Sequence, residues 1–231
     1  MSIKDKFVVK PIKRFETHDW FLNKHYAKRV PSITYCYGLY DINKLLQGVI
    51  SFGSPASKPL VVGAFKGKYQ KDFLELNRLC INDNLEKNVL SFFVSQSIKL
   101  LEKPKVIVSY ADTSQNHHGY IYQATNWIYT GLSDKRTEWR MRGNNKHSKT
   151  ICEQYTLEER QKDNDRFYVT ERPRKHRYFY LLGNKKEKKE MKQNLQYQIE
   201  LYPKGETKDM IRLLLQMFKA FYLHKSTKTG D

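Results

Sequence analysis

The sequence predicts an α/β fold built on a mixed sheet, and three observations carry that prediction. Apolar runs of strand length alternate with helical patterns along most of the chain. One segment, residues 88–102, places Val89, Leu90, Phe93, Val94, Ile98 and Leu101 on a broad apolar face, as an amphipathic helix does. Another, residues 105–132, opens as a buried β-branched strand at Val106, Ile107 and Val108. It then turns polar through Ser109, Tyr110, Asp112, Ser114, Gln115, Asn116, His117 and His118. Ligands in open α/β sheets sit beyond the carboxyl ends of strands, so Asp112 is the first candidate for a reacting group. The alternative is a turn in which Asp and Ser cap a following helix.

Taken in order, residues 6–12 read as a first strand, with Phe7, Val8, Val9 and Ile12 around Pro11. A helix is expected from Thr17, carrying Trp20 and Phe21 and ending at His25 and Tyr26. Residues 33–41 and 45–52 form a hairpin across a turn at Asp41 and Asn43. Residues 60–65 suit a short strand or a substrate loop. Residues 73–82 alternate Leu74, Leu76 and Leu79 with Glu75, Asn77 and Arg78, giving a strand whose polar face holds one acid and one base. After the polar tip at 109–118, Gly119 ends the loop, Tyr120 to Ala124 read as a short helix, and 127–132 as a strand. Residues 136–142 alternate so that Arg136, Arg140 and Arg142 share one side. Residues 155–165 are a charged helix or linker, and 206–224 an amphipathic helix that packs on the core, with homodimer formation as its other role.

Composition narrows the partners. Among 231 residues, 39% are hydrophobic, enough for one core with a smaller appendage. The 42 Lys and Arg outnumber 24 Asp and Glu, a formal charge of +18 that points to a polyanion. Nine Lys or Arg lie between Arg172 and Lys192, interleaved with Tyr178, Phe179 and Tyr180, and 16 tyrosines add stacking faces. Arg174, Lys175, Arg177, Lys185 and Lys186 join Arg136, Arg140 and Arg142 as candidate nucleic-acid contacts. No long apolar run favours a membrane, no secretory leader is evident, and three dispersed cysteines suit a reducing cytoplasm.

The order of elements is compatible with the N-acetyltransferase-type (GNAT) fold, whose sheet splays after the fourth strand. The residues themselves resemble the Mom DNA-modification family of bacteriophages. The likeness is carried by Glu75-Leu76-Asn77-Arg78-Leu79, by Ser109-Tyr110-Ala111-Asp112 through Gly119 to Asn126, by His25-Tyr26 with Lys28, Arg29 and Pro31, and by Arg174-Lys175-His176-Arg177-Tyr178. It implies a virus-encoded enzyme in the host cytoplasm that converts adenine in double-stranded DNA to a carbamoylmethyl derivative at the exocyclic amine, shielding DNA from restriction; a CoA-dependent acetyltransferase on a small amine or protein and a non-catalytic DNA-binding protein are the alternatives. It further implies roles for His25, Tyr26, Arg78, Ser91, Asp112 and Tyr122, with iron and an acetyl-CoA-type donor as cofactors. On this reading His25, Tyr26, Asp112 and Tyr122 are catalytic, with His25, Tyr26 and Asp112 as the metal set and Arg78, Ser91 and Ser95 on the donor. An adenine flipped from the duplex would meet Tyr120 and Tyr122 beside Asp112. The chain then divides into a catalytic core over 1–155 and a basic C-terminal extension over 156–231 that packs on it and contacts DNA. One departure stands out: residues 81–88 lack the glycines with which ordinary acetyltransferases cradle the CoA pyrophosphate.

Overall fold

In a computed structural model, described over residues 2–144, 146 and 148–204, a short helix α1 (Ile3–Lys6) leads into a seven-stranded mixed sheet. Strands β1 (Phe7–Pro11), β2 (Tyr35–Asp41), β3 (Leu46–Gly53) and β4 (Phe73–Ile81) form an antiparallel meander. Next comes β5 (Lys105–Asp112), which runs parallel to β4 for only three pairs, Phe73↔Val106 to Glu75↔Val108. Beyond Glu75 the two strands part, and this is the splay expected after the fourth strand. Ser109 sits at the fork, its hydroxyl donating to the Leu76 carbonyl at 2.7 Å.

Helix α3 (Val89–Lys99) covers one face of the sheet. Val89, Phe93, Val94 and Ile98 pack there on Leu39, Ile50, Phe52, Leu74, Leu76 and Ile107. Each such side chain contributes about 1.5–3 kcal/mol on burial. The opposite face is closed by α2 (Lys58–Gly63), where a strand or loop had been expected. The residues explain the helix: Ser57 caps it by accepting the Leu60 N–H, Pro59 suits its first turn, and Leu60, Ala64 and Phe65 bury against Phe73, Val108 and Phe179. The expected helix from Thr17 is broken into a 3-10 turn at Arg14–Thr17 and a π-helical turn at Trp20–Lys24, anchored by Trp20 and Phe21 on Ile33, Cys36 and Val49.

The largest revision concerns the basic segment after residue 172. Its first half is β9 (Lys175–Leu182), inserted between β5 and β6 (Ile128–Leu132) and antiparallel to both. The sheet therefore continues past the division drawn at residue 155. His176, Arg177, Tyr178 and Phe179 are all buried, because a central strand covered on both faces needs a run rather than an alternation of enclosed side chains. Only the second half, α7 (Lys185–Asn194), presents the solvated basic surface foreseen, with Met191 as its buried anchor.

Between β6 and β9 the chain builds a smaller unit. Strands β7 (Thr137–Met141) and β8 (Phe167–Glu171) pair as a separate two-stranded sheet, with α5 (Ser148–Gln154) and α6 (Leu157–Lys162) between them. The charged stretch near 155–165 is thus a helix closed by a Thr156–Glu159 capping box. The segment expected to form the C-terminal helix over 206–224, with its dimer role, lies outside the described residues.

Gly119 initiates helix α4 (Tyr120–Ala124), with φ of +74°, and a Cβ there would stand 2.5 Å from the fully buried Tyr178 ring. That ring is held by its hydroxyl, which donates to the His118 carbonyl at 2.6 Å, so it cannot swing aside. Gly119→Ala is expected to lower stability by about 2–4 kcal/mol, combining overpacking with left-handed strain. Gly143→Ala, also at positive φ (+66°) but facing open space, should cost about 1–2 kcal/mol. Urea unfolding of the two variants checks the ranking, which fails if Gly143→Ala is the more damaging.

Candidate functional site

The carboxyl end of β5 and the residues that close around it form a polar cluster on the face of the sheet opposite α3. Asp112 ends β5 and faces Lys175, the first residue of β9, whose ammonium donates to Oδ2 at 2.8 Å. Its other oxygen, Oδ1, accepts the Ser114 N–H at 3.0 Å and the Ser114 hydroxyl at 2.7 Å. Burial pushes the Asp112 carboxyl up, but the bonds from Lys175 and Ser114 outweigh it and hold the pKa below the usual carboxylate range. Asp112 is therefore an oriented anion, and a weak base.

Glu75 behaves in the opposite way. It occupies the last parallel pair before β4 and β5 diverge, and accepts the Ala56 N–H at 3.1 Å. Burial raises its pKa, against the lowering effects of that bond and of Arg78 and Lys175. Lys175 is thus bonded to Asp112 and acts on Glu75 through its charge alone, and the two carboxylates differ in basicity. The alternation over 73–82 marks Glu75 as a polar-face acid, yet nothing in that pattern says that its neighbours exclude water.

His25 and Tyr26 supply the aromatic side of the cluster. Their backbone leaves the helical region after Lys24, and the rings stack with centroids 4.5 Å apart. Tyr26 also meets His117 edge-on at 6.0 Å, which joins the first 30 residues to the loop after β5. About half of Tyr26 remains exposed, so one ring face is open. Burial, with Arg78 and His117 nearby, lowers the His25 pKa to about 4. Burial raises that of Tyr26, helped by Asp112. Arg78 is tied down by donating to the carbonyls of Arg29 (3.4 Å) and Asn77 (2.6 Å).

Tyr122 enters from the α3 side. It is enclosed by Trp127 and Tyr178, with ring centroids at 5.0 and 5.1 Å, and its hydroxyl pairs with Ser109 at 2.7 Å in the fork. Burial pushes its pKa up to about 12, with Tyr26 and Glu75 adding to the rise. It stays protonated and offers no free ring face, so the expected stacking role does not fall to it. Tyr120 is exposed on the neighbouring turn.

His25 and Tyr26 are thus in contact, with Arg78 and Asp112 within electrostatic reach of them, whereas Ser91 and Ser95 lie on α3 across the sheet. Ser91 is spent within α3, donating to the Asn88 carbonyl at 2.9 Å. The loop before that helix holds no glycine, and Glu86 there pairs with Lys6 at 3.0 Å. A CoA pyrophosphate does not fit such an acid-bearing loop. An iron centre on His25, Tyr26 and Asp112 does not fit either. The Ala27 N–H donates to His25 Nδ1 at 3.1 Å, which places the ring proton on Nε2 and removes that lone pair from coordination, and the Lys175 ammonium 2.8 Å from Asp112 Oδ2 sets a cation where the metal would stand. Among the described residues no three His, Cys, Asp or Glu gather as a metal set.

The expected nucleic-acid contacts also divide. Arg177 is buried, donating to the Thr130 hydroxyl and carbonyl at 2.9 and 3.0 Å beneath the Tyr197 ring. Arg174 bonds the carbonyls of Leu132 and Ser133, and Lys175 belongs to Asp112. These three shape the site from within. Lys185 and Lys186 on α7 and Arg136, Arg140 and Arg142 around β7 keep solvent access to differing degrees.

The Mom protein family matches residues 6–204. The methylcarbamoylase mom of Escherichia phage Mu is 29% identical over 136 residues, 55% of this chain, and the match spans 54% of that relative's length. Among solved structures, spermidine N-acetyltransferase from Vibrio cholerae superposes over 77% of this chain and 94% of its own, with 9% identity and a TM-score of 0.44. A GNAT-family acetyltransferase from Bacillus cereus covers 77% and 99%, with 9% identity and a TM-score of 0.40.

Because His25 titrates near 6.5 when unfolded and near 4 when folded, the unfolded chain takes up the proton first as pH falls. Its contribution to stability is complete above about 6.5 and is lost progressively down to about 4. His25→Asn should flatten that part of a melting-temperature profile. A wild-type imidazole titrating at 6.5 by NMR would contradict the burial on which this rests.

Proposed function

This chain belongs to the Mom protein family, and on that premise we propose that it is a DNA-modifying transferase that acts on the exocyclic amine of adenine in duplex DNA, attaching a carbamoylmethyl group. The observation that supports this reading most directly is the meeting of an open aromatic face, Tyr26 on His25, with two carboxylates of unequal basicity, Asp112 and Glu75, around Lys175.

A paired adenine engages its amine with thymine, so the base must leave the stack at a cost of a few kcal/mol. Stacking on Tyr26 returns about 1–3 kcal/mol. His25, neutral at physiological pH, can donate a hydrogen bond to the base without adding charge. Asp112 keeps a lone pair on Oδ2 beside Lys175, which suits it to accept one N–H of the amine and so to aim the nitrogen. The amine is a weak nucleophile because its lone pair is delocalised. The bond to the methylene carbon of an activated carbamoylmethyl donor forms as that carbon's bond to the donor's leaving group breaks, the group departing with the electron pair; the proton released from nitrogen goes to Glu75, the carboxylate whose proton affinity burial has raised. Tyr122, whose protonated hydroxyl is paired with Ser109 in the fork, supports the cleft from the α3 side. The +18 charge and the exposed lysines of α7 supply the sequence-independent grip on phosphates.

Nucleosides from DNA of cells producing the chain should contain an altered deoxyadenosine by mass spectrometry, its added mass that of a carbamoylmethyl group. Unchanged deoxyadenosine would overturn the proposal. Glu75→Gln should cut modification by about 10²-fold or more, the scale of a general base, while duplex affinity stays within about threefold. Wild-type rates in that variant would remove Glu75 from the chemistry and leave Asp112 as the acceptor.

A further inference from the structure

The ribbon of β7 and β8 has two faces with different fates. Trp139, Met141 and Phe167 pack inward with Ile151 and Tyr155. Strand alternation then puts Arg136, Glu138, Arg140 and Arg142 on the outer face, and the register sets Tyr168 opposite Arg140 and Thr170 opposite Glu138. Arg172 continues that face, its N–H donating to the Arg136 carbonyl at 2.8 Å. Four guanidinium groups thus stand with two carboxylates: the solvated Asp134, 3.9 Å from Arg136, and the enclosed Glu138, whose side chain is 8% exposed.

Glu138 is poorly placed to neutralise that surface for an outside ligand and well placed to organise it. It pairs with Arg140 and lies 3.8 Å from Arg172, while the Arg142 guanidinium rests 5.1 Å above the Tyr168 ring. Arginines held in fixed forks lose little freedom on binding, and the fork matches the O6 and N7 acceptors of guanine. The dimensions also agree. Five residues of strand are about 17 Å long, two strands lie about 5 Å apart, and the major groove, about 12 Å wide, admits a two-stranded ribbon.

The root of the ribbon is the candidate site itself. Ser133 and Lys175 exchange hydrogen bonds, Ser133 N–H to the Lys175 carbonyl at 2.8 Å and Lys175 N–H to the Ser133 hydroxyl at 3.0 Å. Lys175 holds Asp112, and the three steps from Arg172 to Lys175 span at most about 11 Å. The ribbon therefore begins within about 11 Å of the cleft along the chain.

We infer that the β7–β8 ribbon enters the major groove beside the target adenine, and that Arg140 and Arg142 read guanines there and set the sequence in which adenine is chosen. The inference rests on the DNA reading proposed above. It is tested by binding alone, with full-length protein selecting from a pool of duplexes randomised around one adenine. The wild type should recover a guanine-bearing profile. Arg140→Lys with Arg142→Lys keeps the charge but loses both forks, so affinity should stay within about threefold while the profile flattens. Arg140→Gln with Arg142→Gln should lose a further tenfold or so, and its log–log salt slope should fall by about two. Tyr168→Leu, an exposed change that frees Arg142 without altering either arginine, should blur the profile in part and serves if the double variants fold poorly. A wild type that selects no sequence, or a lysine variant with an intact profile, overturns the inference. Selection needs no turnover, so an unaltered nucleoside spectrum from expressing cells would count against the chemistry and not against the ribbon.

Discussion

The eight antiparallel pairs between β5 and β9, Lys105↔Leu182 to Asp112↔Lys175, are the constraint on which the rest of the molecule depends. They extend the sheet from the edge of β5 that faces away from β4, and they deliver Lys175 to Asp112 at the open end of the fork. They also fix where the β7–β8 ribbon begins, since Ser133 is bonded to Lys175 from the β6 side. Without β9, β5 would keep three pairs with β4 on one edge and none on the other, and the cleft would have one wall.

Charge in this protein is divided by depth. Arg177 and Arg174 are consumed by backbone carbonyls and a threonine, Lys175 by a carboxylate, and these cations position the strands around the site. Buried cations without such partners would be costly, so each is found with acceptors in place. The lysines of α7 and the ribbon arginines remain toward solvent, where a polyanion could reach them. Counting basic residues in the sequence therefore overstates the binding surface.

Unequal carboxylates make the cleft chemically directional. Asp112 gains three donors and stays ionised, whereas Glu75 gains one backbone N–H and is desolvated, so that proton affinity rises from one to the other across Lys175. The stacked His25–Tyr26 pair lies on the same side, with the imidazole kept neutral by burial and by Arg78. A neutral aromatic platform beside a proton acceptor suits a flat, hydrogen-bonding substrate.

The sequence by itself determined the elements whose residues carry their own signal. The meander up to β4, the amphipathic α3, the strand ending at Asp112 and the short helix after Gly119 follow from periodicity, turn residues and β-branched runs, which are local. The grouping of His25, Tyr26 and Asp112 is an expectation from family likeness, since 86 residues separate Tyr26 from Asp112 and no periodicity spans that distance. Only the tertiary structure decided that Arg174, Lys175 and Arg177 face acceptors inside the molecule, because a basic strand and a basic surface helix read alike until pairing is known. It also decided that Ser91 belongs to its own helix, that Tyr122 is enclosed, and that Glu75 is the more basic carboxylate. These are questions of which groups exclude water from which, and desolvation is a property of the packed neighbours rather than of the residue.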